Sequence, residues 1–182
     1  MSLSLAWFAV HGLSQDEFLD RAGFEDTGEA DEYFDAEHSA GELPGGWYVV
    51  VTAQADLLDP ARLGQWSAGG RLVAVVVHED TATSLAMEWR DGRQVWSAFY
   101  DGSAEKKQLE VEGALPEIFE ELRRDATAVQ AEAASEGADF DAGYDIPLDL
   151  AEDITGFRHD ALGFDEDIPV FNVLERTRIV EA

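Results

Sequence analysis

Residues 85–100, LAMEWRDGRQVWSAFY, set an Asp-Gly pair between two alternating runs of apolar residues. Asp-Gly is among the strongest short-range hairpin signals, because a type I′ turn needs positive φ at both central positions. With Asp91 and Gly92 at the turn, Arg90 stands opposite Arg93, Trp89 opposite Gln94 and Met87 opposite Trp96. One face then gathers Leu85, Met87, Trp89, Trp96, Ala98 and Tyr100. The other carries Glu88, Arg90, Arg93 and Ser97, interrupted by Val95 and Phe99. One apolar and one mixed face is the pattern of an antiparallel sheet with one side on the core. The aromatic rings are therefore expected to be scaffold rather than a ligand platform. Asp101-Gly102 makes a second turn, and KKQLEVE continues the meander as a third strand.

Upstream, residues 3–10 (LSLAWFAV) read as a strand. A helix follows with Ser14 as its cap, Glu17 completing an S-x-x-E box, Leu13 and Phe18 as a hydrophobic staple, and Gly23 just past its end. Residues 24–43 hold seven acids between Glu25 and Glu37 with no clean period, which predicts an acidic loop or insertion. WYVVVTA and RLVAVVVHE are continuous apolar runs typical of buried strands. The segment between them places Asp59 as a cap and Pro60 at the first helical position, with Leu63 and Trp66 on one face. A strand, short helix and strand of this kind can form one crossover, making the two strands parallel neighbours.

The clearest helical period lies in 114–137. Ile118, Leu122, Ala126, Val129 and Ala133 form one stripe, and Glu117 and Glu120 sit where the helix dipole favours acids. Residues 136–146 read as an acidic linker. IPLDLAEDITG is a shorter helix stopped by Gly156, and residues 170–174 are an edge-strand candidate in the C-terminal tail.

Charge limits the partners. Thirty-nine acids face 12 bases, a formal charge of −27. Such a chain repels nucleic acid and anionic membranes, so contact through a basic patch is not expected. No apolar run is long enough for a membrane helix. The N-terminus lacks a basic region and a small-residue cleavage site, and cysteine is absent, which points to a cytoplasmic protein without thiol chemistry.

Few constellations carry chemistry. Asp139, Asp141 and Asp145 are oxygen ligands of the kind hard cations take. An EF-hand fails, because glycine falls at the fifth position rather than the sixth and Leu150 stands at the twelfth. A looser cation site is the weaker reading beside a solvated acidic linker. The four histidines form no metal-binding spacing. His159, between Arg158 and Asp160, is the one candidate general base. No glycine-rich phosphate loop or nucleophile elbow occurs, and no cofactor is called for.

Taken together, RLVAVVVHED, WRDGRQVWSAFYDG and TGFRHD are similar to a set of uncharacterised bacterial proteins in which a W-R-D-G-R-x-x-W hairpin precedes a T-G-F-R-H-D segment. The resemblance runs from about residue 45 to 160. It implies a bacterial α+β protein and assigns no activity.

The expectation is one α+β domain over residues 1–182. It has a mostly antiparallel sheet of five or six strands and helices on one face. The leading function is a non-catalytic, immunity- or adaptor-like interaction protein. Its acidic surface, with Glu29, Asp31, Glu32 and Asp35 foremost, binds a basic protein. The alternative is an enzyme or small-ligand binder. There Arg90, Arg93 and Arg158 hold an anion and the His159 segment closes over it.

Overall fold

Local chemistry sets the helix ends. Ser14 is extended, and its hydroxyl accepts the Glu17 N–H at 3.2 Å, which starts α1 (Gln15–Ala22). Gly23 ends it in the left-handed region at φ 76°, donating its N–H to Leu19 O. The Glu17 carboxylate does not complete the box; it pairs with Arg21 at 3.0 Å. Asp59 caps α2 (Pro60–Trp66) by accepting the Arg62 N–H. The computed structural model describes residues 4–103, 105, 107–138, 142–161 and 170–177.

Among the described residues nine strands make one antiparallel sheet, not five or six. In chain order they are β1 (Ser4–His11), β2 (Phe24–Ala30), β3 (His38–Glu42), β4 (Tyr48–Thr52), β5 (Arg71–His78), β6 (Thr83–Arg90), β7 (Arg93–Asp101), β8 (Gln108–Gly113) and β9 (Asn172–Arg176). Their spatial order is β2-β9-β3-β4-β1-β5-β6-β7-β8. The 170–174 segment is thus no edge strand: β9 lies between β2 and β3.

Residues 24–43 are not a loop but contribute β2 and β3, joined by residues 31–37. Both strands are polar or built of small residues, so they carry no apolar alternation. Cross-strand partners hold them instead, including Thr27 Oγ1 donating to Val173 O at 2.8 Å. β4 and β5 run parallel to one another, but β1 is inserted between them and pairs with both. Trp7 therefore sits between Val51 and Val75.

The helices cover both faces of the sheet rather than one. α1 and α2 bring Phe18, Leu63 and Trp66 onto Phe8, Val50 and Leu72. On the other face, α3 (Phe119–Ser135) and α4 (Asp145–Thr155) bring Phe119, Ile146 and Leu150 onto Trp7, Val49 and Val75. Two covered faces explain why WYVVVTA and RLVAVVVHE do not alternate. Each fully buried large side chain contributes about 1.5–3 kcal/mol.

The Asp91-Gly92 turn has positive φ at both residues, 46° and 84°, as the sequence predicts. Arg90 faces Arg93 and Trp89 faces Gln94, but Glu88, not Met87, faces Trp96. A β-bulge at Val95 shifts the register by one, and a one-residue shift changes the face. Trp89 accordingly packs with α2, whereas Trp96 packs on the α3/α4 side. Both rings are buried, so the scaffold expectation holds although the single shared face does not.

The stripe on α3 is core only near its start. Phe119 is buried and Leu122 and Ala126 are half-buried, but Val129 is 47% exposed. No helix among the described residues is long and apolar enough to cross a membrane.

Candidate functional site

β2 is an outer strand, and α1 crosses beside it. Between them lies a cavity of about 600 Å³ whose walls carry Asp16, Asp20, Glu25 and Asp26, with Leu19 and Phe24 as its apolar lining. Among the described residues no basic side chain lines it. Asp26 is held in place: one oxygen accepts the Gly28 N–H at 2.8 Å, and the other faces Gln15 and Asn172.

The same strand leads into the acidic connection at 31–37, whose shape is fixed from within. Asp31 is buried, and its carboxylate accepts the backbone N–H groups of Asp35 and Ala36 at 2.9 and 3.2 Å. It is therefore turned inward as a turn-former, where the sequence predicts a partner-facing acid. Phe34 adopts φ 54° and packs edge-on against Phe171, with ring centroids 5.1 Å apart. That anchor leaves Tyr33 80% exposed, and Glu29, Glu32 and Asp35 are exposed around the same connection.

At the far end of β6 a second charged group forms. The register places Arg71, Arg90 and Arg93 side by side across β5, β6 and β7. Beneath them Glu88 is 2% exposed. One of its oxygens faces Arg71 Nη2 and Nε, the latter at 3.2 Å, and the other lies 3.2 Å from Arg90 Nε. The Arg71 guanidinium also rests over the Trp47 ring, 5.3 Å from its centroid. The sequence signal for Glu88 is only a single acid in the strand, two residues before Arg90. Its burial follows from the covered α3/α4 face, where it stands between Val73 and Trp96.

Arg158 does not join these arginines. Its guanidinium is surrounded by Asp145 and Asp160 at 2.7 Å, Glu152 at 3.6 Å and Asp149. α4 begins beside Ser84, whose hydroxyl donates to Tyr144 O at 2.8 Å. Arg90 is six positions further along β6, about 20 Å at the usual strand rise. Burial alone lowers the pKa of Arg158, but the hydrogen bond and charge of Asp160, with Asp149 and Asp145, outweigh it and hold the pKa above its ordinary value. His159 borders Glu79, at the same end of the sheet, and burial pushes its pKa down. Its Nδ1 is buried without a hydrogen-bond partner among the described residues.

Of the metal candidates, Asp145 is engaged by Arg158, and Asp139 and Asp141 lie outside the described residues. Among the described residues no group of three His, Asp or Glu side chains is placed to hold a metal. A smaller cavity of about 410 Å³ separates β8 from α3, with Leu109, Val111 and Phe119 beside Lys107 and Arg123.

His38 is a buried polar element that the sequence does not single out. Its Nδ1 lies 2.9 Å from Thr52 Oγ1, and the Phe24 ring packs edge-on against it. Burial lowers its pKa, with Glu37 opposing and Arg176 adding to the effect. The unfolded chain therefore takes up a proton where the folded chain does not. Stability contributed by neutral His38 is complete above the ordinary value of 6.5 and declines as pH falls below it. Thermal melts at about pH 7.5 and about pH 5.5 check this. His38→Gln should show a smaller drop in Tm on acidification than the parent, and an equal drop would rule His38 out as the source.

No protein-family model, curated protein or solved structure matches the chain.

Proposed function

We propose that the protein is a non-catalytic interaction module that seats a basic segment of another protein along the α1/β2 edge. The observation that carries this reading is the concave site of about 600 Å³ walled by Asp16, Asp20, Glu25 and Asp26, with no base in its lining among the described residues. Its size falls within the usual range for sites that receive a ligand or side chain. A lysine or arginine entering it meets several carboxylates at once, and its aliphatic stem can lie beside Leu19, while the Phe24 ring is already covered by the chain's own Arg176, 5.8 Å from its centroid.

Tyr33 adds the second ingredient of such surfaces. Exposed aromatic residues are enriched among those that dominate binding energy, and this one is presented by an internally braced turn. Glu29, Glu32 and Asp35 extend the negative surface toward it. The chain's formal charge of −27 steers basic partners from a distance, and salt weakens that steering.

The test is capture from source-cell lysate by tagged protein, once at low salt and once at high salt. The expected result is one stoichiometric basic protein retained at low salt and released at high salt, with retention lost in Tyr33→Ala. Retention indifferent to salt and to Tyr33 would contradict the reading.

A further inference from the structure

The row Arg71-Arg90-Arg93 stands at the opposite end of the central strands from Arg158 and His159, and the interaction reading makes no use of it. Like charges directly opposite one another on a sheet destabilise it. Here three of the chain's 12 bases occupy consecutive positions across β5, β6 and β7, although 39 acids are available to pair with them. Among the described residues Glu88 is the one acid ion-paired within the row, and with Asp91 at the turn beside it three guanidinium charges stand against two carboxylates.

Glu88 also fixes the direction of the guanidinium groups. It occupies the Nε edges of Arg71 and Arg90, and Trp47 supports the face of Arg71. Arg71 Nη1, both terminal nitrogens of Arg90 and the whole guanidinium of Arg93 have no hydrogen-bond or ion-pair partner among the described residues. Arg90 and Arg93 are exposed, on either side of a turn that is itself held rigidly. Asp91 Oδ1 accepts the Gly69 N–H, and the Gly92 N–H donates to Ser67 Oγ, both at 3.0 Å.

We infer that this row is a binding site for a phosphate-type dianion, either free phosphate or a phosphoryl group carried on a larger molecule. Guanidinium groups recognise such oxyanions through paired, charge-assisted N–H donors, a fork geometry that matches two oxygens of one anion and that a spherical chloride ion does not. A dianion brings two negative charges to the unpaired donors of this row and relieves the repulsion between neighbouring arginines. Glu88 is then a positioning residue: it aims Arg71 and Arg90 without touching the anion.

Calorimetric titration with inorganic phosphate, and separately with a short phosphoserine peptide, tests the site. Chloride holds ionic strength constant, because any salt screens the charges of so acidic a protein. Saturable binding is expected, weakened roughly tenfold or more in Arg93→Gln and in Arg90→Gln and unchanged in Arg124→Gln, a control on α3. Without phosphate, Arg93→Gln should melt no lower than the parent, since it removes a like-charge neighbour and no bond. Tighter binding of the peptide than of phosphate identifies an appended phosphoryl group, and the reverse identifies the free ion. Binding equal in the parent and both hairpin variants, or absent from the parent for both probes, would overturn the assignment.

Discussion

Glu88→Ala should cost about 2–4 kcal/mol in equilibrium denaturation, among the largest losses from any single polar residue in this chain. The substitution leaves Arg71 and Arg90 adjacent across β5 and β6 with no carboxylate between them, and it opens space beside buried Trp96. The figure is set below the 3–5 kcal/mol typical of a broken, fully buried pair, because both guanidinium groups reach solvent. Arg90→Ala makes the contrast. It leaves Glu88 paired with Arg71 and removes one of three neighbouring positive charges, so it should cost less than about 1 kcal/mol. Salt should narrow the gap between Glu88→Ala and the parent by screening the exposed arginines. A cost for Glu88→Ala within about 0.5 kcal/mol, the range of an ordinary surface change, would mean that Glu88 does not organise the row.

Arg158→Ala is the second large effect, expected at about 2–3 kcal/mol at low salt. Arg158 is 17% exposed and stands among four carboxylates. Asp145, Asp149 and Glu152 lie on successive turns of α4, where like charges repel once their shared cation is gone. α4 is also the helix that lays Leu148 and Leu150 on the sheet, so its loss of order reaches the core. Burial already raises the pKa of Asp149, and Arg158 works against that rise; Asp160 is pulled below its ordinary value by the Arg158 hydrogen bond and charge, against the effect of burial. Denaturation at low and high salt should show a deficit that shrinks as salt rises. Arg158→Lys should recover only part of it, because an ammonium cannot reach four carboxylates with the guanidinium's fixed fork of donors. A salt-independent deficit would point to lost packing alone.

Where one residue type forces one local geometry, the sequence was legible. Ser14, Gly23, Asp59, Pro60 and Gly156 mark helix ends where they are found, and Asp91-Gly92 turns as its chemistry requires. Partnership across the sheet was not. The bulge at Val95 reassigns Trp89 and Trp96 to opposite faces, and nothing in the alternation of LAMEWRDGRQVW marks it. β2 and β3 are strands because β9 and β4 pair with them, so composition alone reads them as loop.

The candidate sites divide in the same way. The charge of 24–43 is visible at once. The difference between Asp31, turned inward as a hydrogen-bond acceptor, and exposed Glu32 depends on the folded turn. Asp16 and Asp20 on α1 meet Glu25 and Asp26 on β2 only because Gly23 folds the helix back beside the strand. Conversely, the 3.6-residue stripe on α3 promised more core than it delivers, since only its first turns reach the apolar cluster on that face.

Whether the acidic edge acts as a site or only as part of a general charge is decided by neutralising equal charge in two places. One variant carries Asp20→Asn, Glu25→Gln and Glu29→Gln along the α1/β2 edge; the other carries Glu121→Gln, Asp125→Asn and Glu132→Gln on the exposed side of α3. Both have the same net charge, so long-range steering is reduced equally. In low-salt capture, the edge variant should lose the basic partner while the α3 variant retains it at the parent's level. Equal retention by the two variants, or equal loss, would contradict a binding site on the α1/β2 edge.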